Sequence, residues 1–178
     1  NKLMESVTFP EGNKEIYSYD SLGNVIKKQQ IAKAGSGLND LITEAGYDIL
    51  NCDVHLTLLC YRPTYTLDAK GNRTDYSFDP DHGGLLTKLE PADASGVRRL
   101  TTNTYERLNG FYRLTKSSVC GYGQCSGKLE QITEYKYWNN TSLPREVSKT
   151  NGSRSKTETT IFDYDAAGRL TMENGPLT

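Results

Sequence analysis

The chain has 178 residues, a formal net charge of -1 and 35% hydrophobic residues, with 12 tyrosines counted among them. Such a length suits one domain of ordinary size. The near-neutral charge argues against nucleic acid or an anionic membrane as the main partner, since both demand a clustered basic surface and the basic residues here are spread along the chain. No apolar run approaches the roughly 18 residues of a membrane-spanning helix.

Beginning at Asn1, with no initiator or signal sequence in front of it, the chain reads as an excised or processed piece. The first patterned segment is residues 16–28, IYSYDSLGNVIKK, in which Tyr17 and Tyr19 flank one residue and are followed by Asp20 and Gly23. Next, Leu38, Leu41, Ile42 and Ala45 sit at helical spacing before Gly46, but the same stretch also alternates, so periodicity leaves helix and strand open. Cys52 and Cys60 then form one local pair and Cys120 and Cys125 another; local disulfides, free buried thiols or a metal site are each compatible with them. Only His55 and His82 are available to complete a zinc site, and no Cys-x-x-Cys occurs.

The frame of residues 16–28 returns at 64–76, with Tyr65, Asp68 and Gly71, and at 75–88, with Tyr76, Phe78, Asp79 and, after one inserted residue, Gly83. Residues 103–116 and 133–147 are degenerate copies that keep Tyr105 with an Asn109–Gly110 turn, and Tyr135 with Tyr137. Residues 147–158 carry a separate hairpin signal at Asn151 and Gly152. The last copy, 161–173, has Phe162, Tyr164, Asp165 and Gly168. In a strand the two aromatics of a copy project on one side. The acid then falls at the first position of a turn, where its carboxylate accepts backbone N–H groups, and glycine falls where a left-handed backbone is needed. With 19 threonines and 12 tyrosines, both favoured on pleated surfaces, the chain is expected to be all-β. It is expected to form a repeat-built antiparallel sheet of hairpins that stack their aromatic faces into one buried layer, with the cysteine loops decorating one edge.

These segments resemble the YD repeats of RHS proteins: YDAAGRL (164–170) matches the signature fully, YDSLGNV (19–25) closely, and LDAKGNR (67–73) and FDPDHGG (78–84) with substitutions. The resemblance covers most of residues 1–178. It implies a fragment of a larger β-shell, as in bacterial RHS polymorphic toxins, Tc toxin B and C subunits and teneurins. Its partners would be the other repeats of the parent shell and an encapsulated effector. A similarity of residues 51–99 to a secreted bacterial RHS subgroup with cysteine pairs between repeats favours the two disulfides, a secreted or cell-surface bacterial location, and chance sequons at Asn139, Asn140 and Asn151.

Several chemical readings compete. Asp163 and Asp165 share a strand face and suggest an acid/base pair, but Asp163 stands where Ser18, Thr66 and Ser77 stand in the other copies. Asp79, Asp81 and His82 suggest a metal loop, against which stands a turn with one insertion. A Cys120 or Cys125 nucleophile with His55 or His82 lacks a placed base, and Tyr122 between those cysteines reads as a loop residue. No catalytic residue, cofactor or metal is expected. The serious rival is a carbohydrate-binding adhesion module in which exposed tyrosines and Trp138 stack on sugar rings.

Overall fold

The computed structural model describes residues 3–50, 52, 57–121, 123, 125, 129–138 and 141–177. His55, Tyr122, Asn139 and Asn140 lie outside them. The fold is all-β, with antiparallel strands and a single four-residue helix among the described residues. The chain divides into two compact units, residues 1–83 and 84–178.

In the first unit, β1 (Ser6–Thr8), β2 (Lys14–Tyr19), β3 (Val25–Ile31), β4 (Leu41–Gly46), β5 (Tyr65–Leu67) and β6 (Arg73–Phe78) form an antiparallel meander in chain order. The segment whose period was ambiguous is strand β4: after Gly37 and before Gly46 it is too short for a stable helix, and its neighbours β3 and β5 offer ladder partners on both sides. The helix α1 (Thr57–Cys60) lies in the long β4–β5 connection. In the second unit β7 (Leu85–Ala92), β8 (Arg98–Leu108), β9 (Phe111–Cys120), β10 (Glu130–Tyr137), β11 (Pro144–Asn151), β12 (Thr157–Tyr164) and β13 (Leu170–Leu177) repeat the meander, again each strand bonded to its chain neighbour.

Register decides which face each aromatic occupies, because directly paired residues share a face and a one-residue slip reverses it. In the first unit Ser18, Lys27, Glu44, Leu67 and Arg73 form one row across β2 to β6. Tyr65 and Leu67 therefore stand on the Ser18 face, whereas Tyr17 and Tyr19 stand on the opposite one together with Tyr76 and Phe78. Within a copy the pairing of aromatics holds: Tyr17 and Tyr19 stack at 6.5 Å and Tyr76 and Phe78 at 6.3 Å between centroids. The single continuous aromatic layer does not form in this unit. In the second unit Tyr105, Tyr135, Tyr137, Phe162 and Tyr164 do share one face, through the Asn103, Ser117, Thr133, Lys149 row and the Tyr135, Val147, Thr160 row.

The paired aromatics of these copies are half-buried, not buried, in both units. Full burial lies elsewhere, at Cys60 (2% exposed) in the first unit and at Cys120 (1%) and Ile132 (4%) in the second. Both disulfides, Cys52–Cys60 and Cys120–Cys125, are formed. Each bridge also touches the sheet: the Asn24 side chain at the β2–β3 tip donates to the Cys60 carbonyl at 2.9 Å, and the Cys125 sulfur lies 3.5 Å from the Thr102 hydroxyl on the Ile132 face. In each unit one of the fully buried residues, Cys60 or Cys120, thus belongs to a bridge.

Candidate functional site

The most specific local chemistry is the loop that joins strand to strand. In Asp20–Asn24, Asp68–Asn72 and Asp165–Arg169 the aspartate N–H donates to the carbonyl of the fifth residue at 2.9–3.0 Å, and the glycine N–H donates to the aspartate carbonyl at 2.9–3.1 Å. In each, the carboxylate Oδ1 accepts two further backbone N–H groups, from Leu22 and Asn24, from Lys70 and Asn72, and from Ala167 and Arg169, at 2.8–2.9 Å. The residue after the glycine closes the set: Asn24 Nδ2, Asn72 Nδ2 and Arg169 Nε each donate to Oδ2 at 2.8 Å. That explains why a polar or basic residue follows each of these glycines.

Sequence reasoning missed a fourth such loop. Asp93 N–H donates to the Val97 carbonyl, Gly96 N–H to the Asp93 carbonyl, and Ser95 and Val97 N–H to Asp93 Oδ1. No aromatic precedes Asp93, and the spacing of acid and glycine was the one signal available. At Asp79 the inserted residue lengthens the loop: Gly83 N–H reaches back over four residues to the Asp79 carbonyl at 2.8 Å, and His82 Nε2 lies 3.3 Å from Asp79 Oδ2.

The Asn151 hairpin departs from a two-residue Asn-Gly turn. Asn151 Oδ1 accepts from Ser155 and Lys156 N–H, Arg154 N–H donates to the Asn151 carbonyl, and Arg154 holds the positive φ of 54°. Asparagine here takes the aspartate's place and arginine the glycine's, in a loop one residue longer. The Asn109–Gly110 connection, with φ of 50° and 86°, is a two-residue turn.

The bonds set the carboxylate acidity. The Asn72 amide holds Asp68 below the ordinary carboxylate range, Ser95 does so for Asp93, and the Arg169 N–H and guanidinium do so for Asp165. Burial pulls Asp20 upward, and the Asn24 side chain with three backbone N–H groups outweighs it. Glu15, bonded by Gln30, Lys28 and Tyr17, falls to about 2. Folded values below unfolded ones contribute stability that is present above about pH 4 and is lost as pH falls through the folded values. Accordingly, stability measured by urea unfolding should decline from pH 5 to pH 2. In Asp68→Asn/Asp93→Asn/Asp165→Asn, which keeps an Oδ1 acceptor in each loop, the decline should be shallower; an unchanged slope would show that these loops do not carry it.

The remaining candidates resolve geometrically. Asp163 is in β12 opposite Met172, while the Asp165 oxygens are engaged by its own loop. Cys120, Cys125 and Glu130 come together, but the two sulfurs are bonded to each other, and a metal requires thiolates. Asp79 Oδ1 caps the N–H groups of Asp81 and His82. Trp138 is half-buried with the Arg145 guanidinium 5.2 Å from its ring centroid, so one ring face is occupied by a cation.

Glycine at the fourth loop position has a structural requirement: at Gly168 φ is 78°, and an added Cβ would meet the Leu143 side chain at 3.4 Å. Gly168→Val is expected to cost about 1–2 kcal/mol, since a β-branched residue is strained at positive φ. A melting temperature equal to that of the parent protein would refute the loop argument.

No helix among the described residues is long and apolar enough to cross a membrane, and the two disulfides are compatible with a secreted protein. No family model matches the chain, and no curated protein matches it. Among solved structures it is similar to a porin-like protein from Bacteroides uniformis, with 18% identity and a TM-score of 0.46 over 88% of this chain and 55% of that one. The structure neighbours also include Tc toxin components. One is the TcdB2-TccC3-Cdc42 structure, with 14% identity and a TM-score of 0.43 over 90% of this chain and 9% of that one. Another is the Tc holotoxin pore of Photorhabdus luminescens, with 16% identity and a TM-score of 0.32 over 92% of this chain and 10% of that one. The chain thus spans about half the length of the porin-like protein and about a tenth of each toxin chain.

Proposed function

We propose that this chain is a wall segment of a secreted bacterial YD-repeat (RHS) protein, a non-catalytic stretch of β-sheet that helps to enclose a toxin or effector cargo. The observation that carries the reading is the recurrence of one loop, with the same four backbone-directed bonds, at Asp20, Asp68, Asp93 and Asp165. A loop conserved in geometry within one chain builds an extended meander one hairpin at a time. Each carboxylate is spent on its own turn, which suits a scaffold better than a reaction centre. Neighbouring repeats of the parent protein would then be the partners of this segment.

A wall has one face toward a cavity and one toward solvent. Hydroxyl-radical footprinting of the intact parent protein, with rates normalised to the denatured chain, should therefore show unequal protection of the two faces in β12 and β13: Phe162 and Tyr164 on one side, Ile161 and Met172 on the other. Equal protection on both sides would exclude a wall. Selective binding on a glycan array that is lost in Trp138→Ala would replace this reading with a sugar-binding adhesion module.

A further inference from the structure

The Cys52–Cys60 loop does more than close on itself. It reaches two hairpin tips that sequence separates widely. Toward the first tip, the Cys60 carbonyl accepts the Asn24 Nδ2 at 2.9 Å, and the same Nδ2 donates to Asp20 Oδ2. Asn24 is 7% exposed, so its amide is bonded on both sides in a site largely removed from water. Toward the second tip, Leu58 Cβ and the Arg62 guanidinium lie against Gly83, near enough that a Cβ there would meet both at 3.5 Å. Arg62 also stands 5.2 Å from the Phe78 ring centroid. The segment therefore ties the β2–β3 tip to the end of β6.

The disulfide closes the segment that makes this tie. The connection from β4 to β5 runs over residues 47–64, and among its described residues the one regular element is the four-residue α1. A helix of one turn is far below the length at which helices persist alone. The bridge closes the connection around that turn and holds the Cys60 carbonyl over Asn24. Without it, a long connection regains conformational freedom, which weighs against keeping the Cys60 carbonyl in place.

We infer that Cys52–Cys60 is a redox latch: reduction by a thiol releases the tie between the tips at 20–24 and 79–83 and loosens that end of the first unit, while its strand ladders persist. The chemistry is ordinary exchange. A thiolate of a dithiol attacks the half-buried Cys52 sulfur, the S–S bond breaks, and Cys60 leaves as thiolate and takes up a proton. The reagent's second thiol then resolves the mixed disulfide, so that the cystine gains two electrons and two protons and the reagent closes its own disulfide. On the wall reading, the sheet would be latched in an oxidising compartment and loosened in a reducing one; the latch itself does not depend on that reading.

The test is amide hydrogen exchange on the full chain, oxidised and then treated with dithiothreitol. Reduction should accelerate exchange at 20–24 and 79–83 together by at least tenfold. The Asp68–Asn72 loop, which the cysteine segment does not touch in any described contact, should keep its protection. The Cys52→Ser/Cys60→Ser variant, which leaves Cys120–Cys125 intact, should show the same pattern without reagent. If that variant does not fold, the time course of reduction of the folded wild-type chain gives the same readout. Acceleration confined to 52–62, or wild-type exchange at 20–24 in the variant, would overturn the latch. Acceleration that includes 68–72 equally would show a pin for the whole unit, and would overturn it as well. Footprinting of the parent's two faces tests the wall reading separately, so either idea can fail alone.

Discussion

Gly46→Val is expected to destabilise the first unit by about 2–3 kcal/mol, the upper part of the range for overpacking a filled site. Gly46 pairs with Tyr65 across β4 and β5, and a Cβ on Gly46 would overlap the Tyr65 ring itself. Moving the ring aside would also break its contact with the Arg73 guanidinium, 4.1 Å from the centroid. Glycine, ring and guanidinium form a stack in which the aromatic covers a backbone that has no side chain of its own. Tyr65 also has little freedom along the strand, since β5 is three residues long and is paired on both sides. Amide exchange across β4 and β5 would read the loss directly. Tyr65→Ala in the Gly46→Val background should recover part of it by removing the overlap; equal exchange in wild type and Gly46→Val would disprove the stack.

The same pair shows what was legible in the sequence and what was not. Turn chemistry is local, so the acid and glycine spacings at 20–23, 68–71 and 165–168 pointed to hairpins, and the strands flanking them are where that spacing places them. The face of an aromatic is not local. Tyr65 falls opposite Tyr17 because the parity accumulates through the β3–β4 loop, the long β4–β5 connection and the bulge beside Tyr19, and a single residue in any of these would reverse it. Substitution inside the loop hid two further cases. Asp93 lacks the preceding aromatic, and Arg154 occupies a left-handed position that its residue type disfavours, paid for by the Asn151 side chain accepting two backbone N–H groups. What the bridges touch was equally out of reach, because only the fold brings Asn24 to the Cys60 carbonyl and Thr102 to the Cys125 sulfur.

Ile132→Ala is expected to have the largest effect in the second unit, about 3 kcal/mol, within the range measured for large-to-small changes at fully buried sites. Most of this unit's apolar side chains are half-exposed, so their truncation forfeits only part of a transfer free energy. Ile132 differs: it lies in a row with Thr102, Ser118 and Thr150, and Ser118 beside it is 2% exposed. The neighbours are short hydroxylic side chains held in ladder positions, and such a wall cannot collapse into the space that a deleted isoleucine leaves. The Cys120–Cys125 bridge, on the same face, holds the Cys125 sulfur beside Thr102. A cavity that cannot relax costs more than the transfer term alone. Urea unfolding followed by the fluorescence of Trp138, the chain's single tryptophan, reports on this unit, since Trp138 follows β10 directly. Ile161→Ala, on the same face but half-exposed, should cost about half as much. If the two substitutions cost the same, full burial at Ile132 is not what holds the second unit together, and the half-exposed aromatic face opposite would have to supply that stability instead.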